Sequence, residues 1–358
     1  MIKCPLTGST NVKIIYEQKS VPLIQNKVYA TKEQAVNAPC IDVILAQSLH
    51  NGFVFSANFN ESIIDYDAAY QNEQSNSVYF RQHLEHVIEI MRNNNTLNGK
   101  VVEIGCGKAY FLEMLLDRGV NITGFDPTYE GHSTKVVKDF FSDKYSDIGA
   151  EFIILRHTLE HIAHPFNFIK TIAAANKHKG KIYIEVPTFD WITAHNATED
   201  IFYEHCNYFT LATLQMLFTK STGGHFFNGQ YFYVIADLAD VKSALEPQTI
   251  TPYEIKFKDR INEYDKLISG LKNTAIWGAG AKGSTFLNLL DKGCEKVKCV
   301  VDINPKKQQQ FIGGTGHFII KPEALAEQMI ENIIVMNSNY IDEIKKTIEP
   351  QHINLITL

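Results

Sequence analysis

The sequence predicts an α/β protein in three parts, a small N-terminal module followed by two parallel, doubly wound sheets. Three observations carry this. From Lys100 short apolar strands alternate with helical segments, as repeated βα units of a parallel sheet do. From Thr274 a second series of strand, glycine turn, helix and strand begins. Residues 1–75 share neither texture, having short β-like runs at 12–16, 42–45 and 52–56 between polar stretches. The length of 358 residues suits two or three domains of roughly 150 residues.

Composition narrows the classes. With 45% hydrophobic and 21% charged residues, the chain can bury a core and is not disordered or fibrous. No apolar run approaches the ~20 residues of a membrane span. Met1-Ile2-Lys3-Cys4-Pro5 has no charged-then-apolar signal pattern, so a cytoplasmic location is expected. Thirty-four basic against 40 acidic residues, a net charge of −6, gives no electrostatic footprint for nucleic acid. The six cysteines include no Cys-x-x-Cys pair; buried, reduced thiols without disulfides are expected.

In order along the chain, Phe80, Leu84, Val87, Ile88 and Met91 form one face of an amphipathic helix, which Asn93-Asn94-Asn95 and Gly99 stop. Strands are predicted at 101–104, 121–125, 152–155 and 181–186, with helices at 111–116 and 165–174 and a late strand at 231–236. Pro247 and Pro252 mark a connection, and 256–271 reads as a charged helix. Strands at 274–277 and 298–301 open the last part. The modules are therefore placed at 1–75, 76–240, a linker and helix at 241–270, and 271–358.

The strongest motif is Val101-Val102-Glu103-Ile104-Gly105-Cys106-Gly107, with Asp126 ending the next strand. Gly105 and Gly107 let the backbone turn sharply and approach a ligand at the sheet's carboxyl edge. Asp126, about 20 residues on, can accept from two ribose hydroxyls. A dinucleotide fingerprint needs a third glycine where Tyr110 stands, and a side chain there opposes the close helix approach required over a pyrophosphate. Glu-x-Gly-x-Gly without that glycine resembles the S-adenosylmethionine site of class I methyltransferases. The resemblance implies that Glu103, Gly105, Gly107 and Asp126 hold that cofactor on a Rossmann-like central domain.

A second cluster, Phe202-Tyr203-Glu204-His205-Cys206-Asn207-Tyr208-Phe209, follows the strand ending Glu185-Val186-Pro187. A histidine near its ordinary pKa of ~6.5 can take and return a proton. A carboxylate beside it can orient the ring, and a phenol can hydrogen-bond a developing enolate. Taken alone, the segment reads as an aromatic loop packed on the sheet. Together with Glu-x-Gly-x-Gly and Leu159-Glu160-His161, it resembles the sugar C-methyltransferases that act on nucleotide-linked keto-deoxysugars. Trp277-Gly278-Ala279-Gly280-Ala281-Lys282-Gly283-Ser284 and Val301-Asp302-x-Asn304-Pro305-x-Lys307 are similar to that family's second, C-terminal Rossmann-like domain.

The resemblance implies His205 as general base next to a sugar ketone, with Tyr203, Glu204 and His161 in support, and Tyr66 or Tyr70 against the sugar. It also implies an N-terminal zinc module with two Cys-x-x-Cys pairs. Here the pairs read Cys4-Pro5-Leu6-Thr7 and Ser48-Leu49-His50-Asn51. One thiolate is too few for a closed site, so no zinc is expected and the module is expected to persist as a metal-free substrate lid.

His157 and His161 do not form His-Glu-x-x-His, so His161 is read as lining the site and no metal is assigned. Gly278-x-Gly280-x-x-Gly283 with Asp302 would alone argue for NAD; Lys282 is placed to meet a phosphate. Lys306-Lys307 reads as a solvated turn and 313–316 as a flexible loop. The expected activity is S-adenosylmethionine-dependent C-methylation of a nucleotide sugar, with no nucleic-acid or membrane partner. The alternatives are O-methylation with the same donor, an NAD-linked sugar oxidoreductase, and a non-catalytic nucleotide-sugar binder.

Overall fold

The computed structural model describes residues 1–67, 69–248, 250–349 and 352–358. The alternation that begins at Val101 builds a seven-stranded sheet. Across it run Thr222–Phe226, Tyr231–Asp237, Lys181–Pro187, Phe152–Arg156, Val101–Ile104, Ile122–Phe125 and Val136–Val137. Tyr231–Asp237 is antiparallel to both neighbours, and the other pairs are parallel. Because strand side chains alternate, each buried strand feeds two cores. Phe152 and Ile154 join Val101 and the helix Val78–Asn93, while Ile153 and Leu155 join Val102, Ile104 and the helix Pro165–Ala175.

Helix Val78–Asn93 buries the predicted face and adds His83 to it. Its first turn holds no acid, and the C-terminal part supplies one. Glu343 accepts from Ser77 Oγ at 2.6 Å, from Val78 N at 3.2 Å and from Tyr79 N at 3.3 Å. A carboxylate at these unpaired N–H groups stabilises the helix start, and here it also ties two parts of the molecule together.

The C-terminal sheet has five parallel strands in the order Ile319–Ile320, Val297–Val301, Thr274–Trp277, Asn332–Val335 and Asn354–Thr357. Trp277 leads into the turn before helix Ala281–Leu290. Gly283 is fixed there by packing, because a Cβ would stand 2.0 Å from the Gly278 carbonyl oxygen.

The N-terminal sheet is formed by Val12–Pro22, Cys40–Ser48 and Val54–Ser56, and its fourth strand is Asn207–Tyr208. That last pairing, Asn207 with Phe55 and Tyr208 with Val54, crosses the division drawn at residue 75 from the sequence. A further pair, Val28–Tyr29 with Phe311–Ile312, joins the module to the C-terminal part. Two expectations change accordingly. The segment 313–316 is pinned, with Gly314 N donating to Ala35 O at 2.7 Å and Asn288 Nδ2 to Gly313 O at 2.9 Å. Lys307 is buried with 5% exposure, whereas Lys306 is exposed. All six cysteines are free, and Cys40 is exposed where burial was expected. Among the described residues no helix is long and apolar enough to cross a membrane.

Candidate active site

Strands of a parallel sheet deliver their turns to its carboxyl edge, where ligands bind. The carboxyl edges of both parallel sheets open onto one cleft, a cavity of about 420 Å³ lined by Gly105 and Gly107 from the first and Gly278 and Gly280 from the second. The N-terminal module adds Asn26 and Tyr70 to its wall.

At the first turn Gly105 has φ +78°, and a Cβ would meet Thr158 Oγ1 at 2.2 Å. Gly107, at φ +54°, donates its N–H to Asp126 Oδ2 at 2.8 Å. Thr128 holds the other oxygen through its N–H at 2.8 Å and its hydroxyl at 2.7 Å. Asp126 is thereby presented in a fixed orientation, with lone pairs left over for hydroxyl donors. Glu103 is buried, and its Oε2 has no hydrogen-bond partner. Burial pushes its carboxyl up to about 7; Asp126 and Glu185 push the same way and Arg156 opposes them. A buried acid in that state gains most from a cationic ligand, and the ammonium of an amino acid fits. Tyr110 lines the cavity beyond the loop. These residues suit S-adenosylmethionine.

The histidine cluster forms where the turn Leu159–His161 meets the 202–208 loop. His161 Nδ1 lies 2.9 Å from the Glu204 carbonyl oxygen. A carbonyl only accepts, so this nitrogen carries the proton and Nε2 keeps a lone pair. The His161 and His205 rings meet edge to face at 4.7 Å, and His205 also packs on Phe202 at 4.1 Å. Burial holds both imidazoles below their usual range, His205 well below it, with His161 and His157 adding to the effect on His205. Both are neutral and can accept a proton. One ring nitrogen of each lies within 4.8 Å of the other and of a Glu160 oxygen.

Of the expected supporting residues, the cleft takes some and not others. His161, Glu204 and His205 line it. Tyr203 turns away: its hydroxyl donates to Asn58 O at 3.1 Å and accepts from Asn60 N at 2.8 Å. It clamps the N-terminal module, and Phe202 occupies the wall in its place. Tyr70 also lines the cleft, with Tyr66 behind it, ring on ring at 4.6 Å. Glu204 is turned toward the N-terminal module, accepting from Gln25 N at 2.7 Å. Burial pushes its carboxyl up to about 7, against the pull of hydrogen bonds from Gln25, Tyr70 and Asn26. Lys282 lines the cleft but pairs with Asp200 at 2.7 Å and lies over the Trp191 ring at 4.5 Å.

Sequence reasoning missed a buried charge centre beneath the cleft. Glu185, with 0% exposure, accepts from Arg156 Nε at 2.8 Å and Tyr183 Oη at 3.2 Å, and His83 Nε2 lies 3.0 Å away. His157 Nε2 is 3.1 Å from it, out of hydrogen-bond alignment. Burial alone would raise the Glu185 carboxyl, but Arg156 and the histidines hold it well below the usual carboxylate range. Burial likewise opposes the charging of His157, yet Glu160 and Glu185 raise it to about 9. The available signal was one acid inside the apolar strand Ile182-Tyr183-Ile184-Glu185-Val186.

At the second turn Asp302 accepts from Ala279 N and Asn304 N, both at 2.8 Å. Lys307 stands beside it at the cleft, donating to Ala279 O at 3.0 Å and lying 4.0 Å from Asp302 Oδ2. In the N-terminal module the two segments compared above with Cys-x-x-Cys pairs form matched turns. Gly8 N donates to Cys4 O and Gly52 N to Ser48 O, both at 2.8 Å. Asn51 Nδ2 faces Cys4 Sγ at 4.0 Å. One thiol among a hydroxyl pair and an amide does not make the soft tetrahedral set that zinc takes, so these residues do not fit that metal.

Residues 79–223 match a methyltransferase-domain family, and residues 246–353 match the C-methyltransferase C-terminal domain. The chain is an S-adenosylmethionine-dependent methyltransferase. A relative, C-methyltransferase NovU of Streptomyces niveus, is 24% identical over 306 residues, covering 74% of this chain and 72% of that protein. Solved structures similar to parts of this methyltransferase include a SAM-dependent methyltransferase from Archaeoglobus fulgidus, with 18% identity, a TM-score of 0.35 and coverage of 44% of this chain and 99% of that one. PH0226 protein from Pyrococcus horikoshii OT3 has 14% identity and a TM-score of 0.37, covering 51% of this chain and 100% of that one.

Proposed function

We propose that this methyltransferase C-methylates a nucleotide-activated keto-sugar beside its ketone, with His205 as general base and no zinc in its N-terminal module. The observation that carries the reading is a neutral, aromatic-flanked His205 in the same cleft as the cofactor turn. Glu103, Gly105, Gly107 and Asp126 would hold S-adenosylmethionine. When bound, that cofactor supplies a methyl group on a sulfonium, which accepts a carbon nucleophile and leaves as a neutral thioether. A hydrogen next to a ketone is acidic enough for an imidazole to remove when the enolate is held by hydrogen bonds. His205 takes the proton, and the C–H electron pair stays on the substrate as the enolate. Tyr70 stands at the wall to contact the sugar.

An anionic substrate is favoured by the ammonium groups between the two turns. Lys108 lines the cleft, and burial together with Lys306 and Lys307 lowers its pKa, with Glu130 and Glu73 opposing. A diphosphate would relieve that repulsion. Lys282, already paired with Asp200, serves as the cleft's edge. The NAD reading is disfavoured by Lys307, which stands against Asp302.

Deuteromethyl-labelled S-adenosylmethionine and a nucleotide-sugar-rich metabolite extract test the proposal by mass spectrometry. The expected product carries the label on a ring carbon and is absent with His205→Ala. A label on oxygen, or normal transfer by His205→Ala, contradicts the assignment.

A further inference from the structure

The two loops of the histidine cluster are joined by hydrogen bonds to one another's main-chain carbonyls. Cys206 N donates to the Glu160 carbonyl at 2.9 Å, and Asn207 Nδ2 donates to the Leu159 and Ile162 carbonyls at 3.0 and 2.7 Å. His161 donates in the opposite direction, to the Glu204 carbonyl. Neither loop can slide past the other without breaking these bonds, so a Glu160 oxygen is held within 4.8 Å of a His205 ring nitrogen. Glu160 has 1% exposure, lines the cleft, and neither of its oxygens makes a hydrogen bond. A buried carboxyl left in that condition is costly and is retained where it serves a ligand or a reaction. His157 Nδ1 lies 3.5 Å from one of the Glu160 oxygens. Glu204, the sequence neighbour of the base, is anchored through Oε2 to Gln25 N of the N-terminal module, its Oε1 alone lacking a hydrogen bond.

We propose that Glu160, and not Glu204, is the carboxylate that positions His205 for proton abstraction. This rests on the reading of His205 as base. As the substrate C–H bond breaks, the proton moves to His205, the electron pair stays on the substrate, and the new imidazolium faces the Glu160 oxygen. A carboxylate in that place fixes the ring tautomer and stabilises the cation. The separation of up to 4.8 Å is longer than a hydrogen bond. One water or a side-chain rotation closes it, as catalytic hydrogen bonds commonly tighten when the site fills. His157 in turn holds Glu160 and is itself anchored by Glu185.

The titratable groups around His205 are His157, Glu160 and His161 from the strand-end turn, Glu204 and Cys206 on its own loop, and Tyr66 and Tyr70 from the N-terminal module. Burial and the two histidines lower the His205 pKa, and the proposed role of Glu160 is to oppose them as the imidazolium forms.

The test is an NMR pH titration of His205 in full-length, histidine-labelled enzyme, with His205→Gln identifying the signal. Glu160→Gln is expected to lower the His205 midpoint by about one pH unit, a tenfold loss of proton affinity, while Glu204→Gln moves it by less than about a third of that. An unmoved midpoint in Glu160→Gln, or a larger shift in Glu204→Gln, overturns the assignment. If Glu160→Gln does not fold, Glu160→Asp replaces it: a shift of the midpoint supports the proposal and an unchanged one overturns it. One zinc ion that abolishes the titration in wild type and not in the Glu160 variant also overturns it, by making the three groups metal ligands. The base reading is tested separately. Normal methyl transfer by His205→Ala removes that reading, whereas a dead His205→Ala with an unmoved titration removes only the role of Glu160.

Discussion

The two glycine turns that share the cleft are built alike and are equipped differently. In each, the first glycine donates to the carbonyl just before the acid, Gly105 to Phe125 and Gly278 to Val301, both at 2.8 Å. In each, the acid accepts from a turn N–H and from the N–H two residues on. The differences lie in what surrounds this shared frame. Two residues before the first glycine stand Glu103 in one turn and Ile276 in the other. Where Tyr110 opens one helix, Gly283 lets the other pack onto the turn. Five residues after the acid come Gly131 and the buried Lys307. The first turn therefore offers an unpartnered acid to a ligand, while the second carries its own cation. A glycine fingerprint describes the backbone; the side chains around it decide whether a nucleotide can enter.

The largest effect expected from breaking this contrast is at Gly283. Gly283→Ala drives a Cβ into the Gly278 carbonyl at 2.0 Å, which only backbone movement relieves, so a loss of about 3 kcal/mol or more is expected in denaturant unfolding. Gly107→Ala meets nothing within 4 Å and is expected to lose about 1–2 kcal/mol from its positive φ alone. Equal losses would contradict the close approach read at Gly283.

Lys307→Met is next. It leaves the Ala279 carbonyl without its donor, which costs about 1–3 kcal/mol, seen as a lower melting temperature. Affinity for S-adenosylmethionine should stay within about twofold.

A smaller effect separates Glu103 from Ile276 by pH. The folded Glu103 carboxyl lies at about 7, above its unfolded value of ~4.3. Its contribution to stability is therefore fully present below the unfolded pKa and is lost as pH rises through about 7. Binding the cofactor's ammonium favours the ionised acid, so affinity should rise with pH across that range. Calorimetry at pH 6 in buffers of differing ionisation heat should show up to about one proton released per cofactor bound, and none in Glu103→Gln.

The N-terminal turns give the smallest effect on the native enzyme. As purified, it is expected to contain well under one zinc per chain by elemental analysis. Thr7→Cys, Ser48→Cys and Asn51→Cys combined should bind one zinc ion and raise the melting temperature. Stoichiometric zinc in the unmodified enzyme would show that the surviving residues form a site after all.

Much of the architecture was legible because it is written in local patterns. Apolar runs such as Val101–Ile104 and Thr274–Trp277 were found as strands, and the helix face from Phe80 to Met91 was read from its spacing. What escaped depended on distant partners. Asn207–Tyr208 is too short to carry a strand pattern and becomes one only by pairing with Val54 and Phe55. The Glu185 centre draws on His83, 102 residues away. Lys307 looked like a solvated turn because its burial comes from the Ala279 turn, which lies far upstream. In the 202–208 loop, neighbours in sequence go separate ways: Tyr203 is held by the N-terminal module, Glu204 lines the cleft with one oxygen on Gln25 N, and His205 lies beside His161. Neighbouring side chains diverge around a turn, so adjacency in sequence does not fix which of them meet in space.

The most direct test of the central contrast is a calorimetric titration of S-adenosylmethionine into wild type, Asp126→Ala and Asp302→Ala. One site per chain is predicted, weakened about 10–100-fold in Asp126→Ala and changed by no more than about threefold in Asp302→Ala. A second site, or a loss of binding in Asp302→Ala with Asp126→Ala unaffected, would contradict it.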